Sequence, residues 1–157
     1  MKSIPPIRKA TRADLPLLLA LERAIFPDPW PPSMFEGEIE WGGVLVAGGV
    51  ETAEIVGFVV AVFERNRVHI ANLAVARDHR RQGLGRRLLD EAIDAGGCKG
   101  ARAAWLEVRA SNAAARELYT AAGFREIGRR TGYYRRSRLL GREDAVIYRR
   151  DFGSPED

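Results

Sequence analysis

Hydrophobic and polar positions change period several times along the chain, and each change marks an element. Residues 6–10 form a short opening strand. A helix then starts within 11–16, with Asp14 as its cap and Pro16 in the first turn, where the missing N–H costs nothing. Leu15, Leu18, Leu19 and Ile25 give that helix an apolar face. Pro27-Asp28-Pro29-Trp30-Pro31-Pro32 ends it, and Ser33 caps a short helix over 33–40. Residues 44–50, 55–63 and 68–75 are apolar and β-branched, with turns at 51–54 and at Asn66; in succession they read as an antiparallel meander. The period then becomes helical: Leu84, Leu88, Leu89, Ala92 and Ile93 form one stripe, and Gly96-Gly97 ends the helix. Residues 103–108 are a further strand. Ser111 or Asn112 caps the next helix, which ends at Gly123. Residues 124–130 and 145–150 are the last strands, with a long connection over 133–144.

The order β-α-α-β-β-β-α-β-α-β-β implies one parallel step, around the helix at Leu84, and antiparallel neighbours elsewhere. The expected fold class is α/β (α+β): a mixed, mostly antiparallel sheet of about seven strands with helices on both faces. The 157 residues read as a single domain with a core over 6–151 and a frayed tail over 153–157. Hydrophobic residues make up 46% and charged ones 29%, an ordinary globular balance. No apolar run is long enough for a membrane span and the start has no signal-like region, so a cytoplasmic protein is expected. A single cysteine, Cys98, excludes an internal disulfide. With only His69 and His79 beside it, no metal site is expected. Cys98 follows a helix end, where the dipole disfavours a thiolate, so it reads as inert.

The net charge of +4 is carried mainly by arginines, in groups at Arg80, Arg81, Arg86, Arg87 and at Arg129, Arg130, Arg135, Arg136, Arg138. The second group reads as a solvated face, so direct nucleic-acid binding is not expected. The first belongs to Arg80-Arg81-Gln82-Gly83-Leu84-Gly85-Arg86, a basic glycine turn between the end of a strand (Asn72-Leu73-Ala74-Val75) and a helix. Free amides of a first helical turn, the helix dipole and arginine forks together suit a phosphate, and the two glycines let backbone approach it.

These residues resemble the GNAT superfamily of N-acetyltransferases, whose pyrophosphate signature Arg80, Gly83 and Gly85 match. Trp105-Leu106-Glu107-Val108-Arg109-Ala110-Ser111-Asn112, the stretch that follows to Phe124, Gly141-Arg142-Glu143-Asp144-Ala145 and Phe26-Pro27-Asp28-Pro29-Trp30 resemble the ribosomal-protein-alanine N-acetyltransferases of the RimI type. The resemblance covers nearly the whole chain. It implies acetyl-CoA as co-substrate, held by Leu73, Ala74, Val75, Arg80, Arg81, Gln82, Gly83, Leu84, Gly85, Arg86 and Asn112. It also implies Glu107 as general base through a water and Tyr119 as general acid to the CoA thiolate. A strand distortion at Leu73-Ala74-Val75 would bind the oxyanion.

The chemistry fits those roles. An α-amine, with an ordinary pKa near 8, is about nine-tenths protonated at neutral pH and needs a base, while a phenol keeps its proton there and can donate it. Read without the resemblance, Glu107 is an exposed strand carboxylate paired with Arg109, Tyr119 a core tyrosine and Asn112 a helix cap. His69 reads as a strand residue and His79 as a solvated turn residue. Trp30, Tyr133 and Tyr134 would flank the acceptor, with Glu38, Glu40 or Glu107 drawing its positive amine. The chain departs from the resembled type in Thr131-Gly132 and in the basic stretch over 135–140. The leading acceptor is a protein N-terminus, a small-subunit ribosomal protein's alanine or one like it. A small amine, a lysine side chain, or a non-catalytic CoA- or RNA-binding ribosomal module are the alternatives. A monomer or weak dimer away from membranes is expected.

Overall fold

The computed structural model describes residues 5–49, 53–137 and 141–153. Seven strands form one sheet: β1 (Ile7–Lys9), β2 (Val44–Gly48), β3 (Ile55–Glu64), β4 (Arg67–Val75), β5 (Ala103–Arg109), β6 (Arg125–Ser137) and β7 (Gly141–Asp151), in spatial order β1-β2-β3-β4-β5-β7-β6. Only β4 and β5 are parallel. Helices α1 (Leu15–Ile25) and α2 (Pro32–Glu40) cover one face, packing Leu18, Phe35 and Ile39 on Val46, Phe58 and Val60. On the other face α3 (Leu84–Cys98) and α4 (Ala113–Ala121) bring Leu88, Leu89, Ile93 and Tyr119 onto Val59, Val68 and Leu106. This is the expected mixed sheet, with two cores divided by one layer of strands.

Two irregularities in the middle of the sheet set up the site. The β4–β5 ladder pairs only Arg67, Val68 and His69 with Ala103, Ala104 and Trp105. Beyond that, no pairing joins the two strands among the described residues. They part, β4 towards the turn before α3 and β5 towards the turn before α4. In addition, β4 carries a bulge at Ala71, since Ile70 faces Ala61 while Asn72 faces Val60. The extra residue reverses the alternation. Val68 and Ile70 point to the α3 core, whereas the Asn72 side chain points to the α1 side and reaches Glu22. The distortion expected at Leu73-Ala74-Val75 therefore has its bulge earlier, at Ala71.

Several expectations are corrected. The buried stripe of α1 is Leu18, Leu21 and Glu22, while Leu15, Leu19 and Ile25 are half-buried. Spacings of three and four centre this stripe on 18, 21 and 22, which puts a carboxylate inside. Asp14 is the cap residue of α1 but does not bond its amides; its carboxylate takes the Thr11 N–H at 2.8 Å and pairs with Arg8 at 2.7 Å. Helix α2 is capped at Pro31 and starts at Pro32, one residue before Ser33, because proline's fixed φ suits a first turn. Helix α3 runs through Gly96-Gly97. A Cβ at Gly96 would lie 3.2 Å from Val68, so that glycine serves close packing. The stop is Gly100 at φ 91, with Ala101 N–H bonding Gly96 C=O at 2.9 Å and Gly100 N–H bonding Gly97 C=O at 3.0 Å.

The long connection expected over 133–144 is instead mostly strand. β6 and β7 form a hairpin whose tip, 138–140, lies outside the described residues, as do 50–52 in the earlier turn and 154–157 of the tail. Thr131-Gly132 breaks the alternation of β6. The register shifts between Arg130 and Tyr134, Gly132 takes φ 62, and its N–H bonds Asp144 Oδ1 at 2.9 Å. Period reading loses a strand at such a bulge.

Candidate functional site

A cleft of about 460 Å³ opens where β4 and β5 part. One wall is Leu73, Ala74 and Val75; the floor is the glycine turn with Arg80, Arg81, Gly83, Leu84, Gly85 and Arg86; the other wall is α4 with Asn112, Leu118 and Tyr119. Thus ten of the eleven residues expected to hold the co-substrate line a single cleft together with Tyr119, and Gln82 is the one that does not. Local sequence explains the turn. Arg81 at φ 63 and Gly83 at φ 81 are both left-handed, which curls the main chain into a concave run ahead of Leu84, the first residue of α3. Arg80 donates to Val75 C=O at 3.0 Å and so ties the turn to the strand it leaves. Arg86 spans from Asp90 to the Ala121 C=O at the end of α4. Both cations are thereby positioned rather than loose.

Two features of the cleft suit a phosphate-bearing, chain-like ligand. A Cβ at Gly85 would sit 3.5 Å from Leu118 and 3.6 Å from Val75, in the gap between α4 and β4, so the glycine keeps that gap open. His79, also in the lining, has a buried Nδ1 with no hydrogen-bond partner. The solvated turn residue expected there is in fact a half-buried ring with an unmet polar atom. Ile25 and Phe26 at the end of α1, and Ala114, Ala115, Glu117 and Ala121 on α4, complete the lining and carry no sequence signal of their own. Asn112 Oδ1 caps α4 by accepting from Ala115 N–H at 3.1 Å, and the residue also lines the cleft.

Tyr119 is 7% exposed, its ring edge-on to Phe124 and tilted against Tyr148. Burial pushes its hydroxyl well above the usual tyrosine range, and the neighbouring Tyr134 adds to the rise. The phenol therefore holds its proton. Among the described residues the hydroxyl makes no hydrogen bond.

Glu107 lies on the α1–α2 side of β5, alternating with the core residues Leu106 and Val108. It does not pair with Arg109, which instead holds Glu143 at 3.0 Å. Its Oε2 is 2.7 Å from His69 Nε2, and Arg130 is 3.9 Å from Oε1. Burial would raise its pKa, but the His69 contact and the Arg130 charge outweigh that and hold it below the usual carboxylate range. His69 stacks on Trp105 at 4.0 Å and 15°, the two rings meeting across the β4–β5 ladder. Glu38 of α2 also feels His69; burial raises its carboxyl and His69 opposes the rise. Sequence reading missed His69 as a member of this cluster. Its one signal is alternation, since 69 follows the core position Val68 and so shares a face with Glu107.

The β6–β7 hairpin contributes the aromatic side. Tyr134 is half-buried under Arg109, 4.6 Å from the ring centroid, and meets Tyr133 edge-on at 4.9 Å; Arg130 lies over Tyr133 at 5.5 Å. Burial first, then the charge of Glu107, pushes the Tyr134 hydroxyl above its usual range. Tyr134 is thus an electrostatic neighbour of both Glu107 and Tyr119. Glu143 also accepts from Ser111 N–H at 3.2 Å, and Asp144 C=O from Ala110 N–H at 3.0 Å. The Gly141–Ala145 block thus clamps the hairpin to the β5–α4 turn. Trp30 packs on Phe35 at 5.3 Å, with its main-chain N–H held by Glu22 at 3.2 Å; no described contact joins it to the tyrosine pair.

The model of the acetyltransferase (GNAT) family matches residues 15–124 of the chain. The [ribosomal protein bS18]-alanine N-acetyltransferase of Escherichia coli strain K12 is 38% identical over 137 residues, 85% of this chain and 88% of that protein. The N-alpha-acetyltransferase RimI of Mycobacterium tuberculosis is 35% identical over 154 residues, 92% of this chain and 91% of that protein. The crystal structure of the ribosomal-protein-S18-alanine N-acetyltransferase from Escherichia coli superposes with a TM-score of 0.82 at 32% identity, covering 97% of each chain.

Proposed function

The chain belongs to the acetyltransferase (GNAT) family and is an acetyl-CoA-dependent N-acetyltransferase, and we propose that it acetylates the α-amine of a protein N-terminus. The acceptor is the N-terminal alanine of a small-subunit ribosomal protein, or an N-terminus of similar small first residue, in the cytoplasm. Two of the relatives quoted above, both from Escherichia coli, act by their names on a ribosomal protein's alanine, and they match the chain along most of its length.

The co-substrate brings a thioester whose acyl group is open to attack by a neutral amine. The protein's part is to hold it and to move two protons. The main-chain donors around Gly83 and Gly85 bind the diphosphate, aided by Arg80, Arg81 and Arg86, while the free edge of Leu73-Ala74-Val75 pairs with the pantetheine arm and supplies the N–H donors for the developing oxyanion. Glu107 draws the proton from the arriving ammonium through a water, and Tyr119 gives its proton to the departing sulfur. One observation carries this reading: a charged carboxylate and a protonated phenol share Tyr134 as neighbour, at the opening between β4 and β5. Titratable groups pushed in opposite directions mark an acid–base pair.

A panel of short peptides differing in their first residue tests the acceptor, run with acetyl-CoA beside N-blocked lysine peptides and polyamines. Thiol release and mass spectrometry are expected to place one acetyl on the α-amine of alanine-first peptides. Acetylation confined to lysine side chains or polyamines would overturn the reading.

A further inference from the structure

We propose that a pocket at the start of β5 is a second anion site, in which Arg65, Arg67, Arg102 and Arg149 hold a phosphate ester. The pocket measures about 440 Å³ and shares no lining residue with the co-substrate cleft. Its arginines come from three separated stretches of chain, and none belongs to the arginine groups that stand out in the sequence. Register explains how they meet. Arg67, the first residue of β4, pairs with Ala103, the first of β5, and Arg149 of β7 pairs with Trp105. Val68, Ala104 and Leu106 fill the α3 core, so Ala103 and Trp105 point to the opposite face, and Arg67 and Arg149 with them. Arg65 lies in the two-residue turn between β3 and β4, and Arg102 directly precedes β5. Glu107 is four residues along β5 from Ala103, about 13 Å away, so this pocket stands apart from the acyl-transfer chemistry.

Two observations separate this cluster from a solvated basic patch. The main chain that carries it is fixed. Arg102 N–H bonds Asn66 C=O, and Phe152 N–H bonds Arg102 C=O at 2.8 Å, which ties the β3–β4 turn, the start of β5 and the end of β7 into one unit. Arg65 holds φ 52, a left-handed conformation that a residue with a side chain adopts at a cost. The cations are also only partly neutralised. Arg67 pairs with Glu64 at 3.4 Å and Arg149 with Asp151 at 2.9 Å, and Asp151 is itself shared with Arg125 at 3.2 Å. The guanidinium groups of Arg65 and Arg102 make no hydrogen bond or ion pair among the described residues. Four cations beside two carboxylates leave an excess of two positive charges at one concave surface, which matches the charge of a phosphate monoester. The donor geometry selects the same ligand. Each free guanidinium offers a planar fork; the terminal oxygens of a phosphate can meet two forks at once, whereas the two oxygens of a carboxylate are used up by one.

The test uses the full chain saturated with CoA, so that the co-substrate cleft is already filled. Uridine 5′-monophosphate, a hexauridylate RNA and glutarate are titrated by calorimetry, with the arginine Nε–H resonances followed by NMR. Both phosphate esters are expected to shift the Arg65 and Arg102 signals saturably, and glutarate to leave them in place. The double variant Arg65→Gln, Arg102→Gln alters two exposed positions. It is expected to weaken binding at least about tenfold, while kcat and KM for acetyl-CoA stay unchanged. Arg23→Gln with Arg129→Gln removes the same charge elsewhere on the surface and is expected to leave binding as it is. Hexauridylate binding more tightly per phosphate than the monophosphate, and weakening steeply with salt, assigns the ester to an RNA backbone; equal affinity per phosphate assigns it to a free nucleotide. No saturable shift with either ester, glutarate binding as well as the monophosphate, or an equal loss in the two double variants would overturn the proposal.

Discussion

Tyr119 and Glu107 show how one sheet opening keeps two ionisable groups in different states. Burial in the α3–α4 core raises the phenol, while His69 and Arg130 lower the carboxylate against its own burial. Across the neutral pH range neither changes charge, so the phenol stays a donor. Tyr119→Phe keeps the ring packing on Phe124 and Tyr148 and removes only the proton. The expected result is a kcat loss of about 10²-fold or more with CoA affinity unaltered, read by thiol release and calorimetry. An unchanged kcat would remove Tyr119 from the acid role. The residue types of this pair stand out in the sequence because each sits in a recognisable block. His69 does not, because its meaning lies in a partner 38 positions away, and no local pattern reports a cross-strand contact.

At the scale of elements, the glycine turn separates stability from binding. Gly85 lies in the first turn of α3, and a Cβ there would make ordinary contacts with Leu118 and Val75 while narrowing the gap between β4 and α4. Alanine also favours a helix over glycine by up to about 1 kcal/mol. Gly85→Ala is therefore expected to hold or raise the melting temperature while weakening CoA binding about tenfold, roughly 1.4 kcal/mol. Scanning calorimetry and titration calorimetry together check the split; a parallel fall in both would mean that the glycine serves the fold. Elements with one clean period were legible in the sequence: β3, β4, α3, β5 and α4 lie within a residue or two of expectation, apart from the end of α3. What escaped has identifiable physics. Gly96 reads as a stop yet packs on Val68, Pro31-Pro32 displaces Ser33 from the cap, and the Thr131-Gly132 bulge hides the second half of β6. The cleft was legible as separate wall segments, whereas the Ala71 bulge depends on pairing with β3 and has no local signature.

Over the whole molecule, a buried carboxylate ties the proline-rich loop to the distorted strand. Glu22 is 1% exposed and accepts from Trp30 N–H at 3.2 Å and from Asn72 Nδ2 at 2.8 Å. It thus joins α1, the proline-rich loop and the β4 bulge. Several surface arginines sit in local pairs, such as Arg86 with Asp90 and Arg129 with Glu126, and exposed pairs of that kind contribute little. Among the described residues Glu22 has no cation as a partner. Burial raises its pKa above the usual carboxylate value, and the two donated hydrogen bonds offset only part of that. The sign follows from linkage. A raised folded-state pKa means the folded chain holds this proton more tightly than the unfolded one, so its stabilising effect is complete below the unfolded value and is lost as pH rises through the folded value. Glu22→Gln keeps one carbonyl acceptor and removes the titration. The melting temperature of the wild type minus that of Glu22→Gln is therefore expected to grow as pH falls from about 8 towards 5, a shift of a few degrees for each kcal/mol in a chain of this size. Glu22→Ala is expected to cost about 1–3 kcal/mol at every pH, because the Trp30 N–H loses its acceptor. Paired thermal melts across that pH range decide the matter, and a wild-type-minus-Gln difference that stays flat or shrinks on acidification would show that Glu22 stays ionised inside the fold.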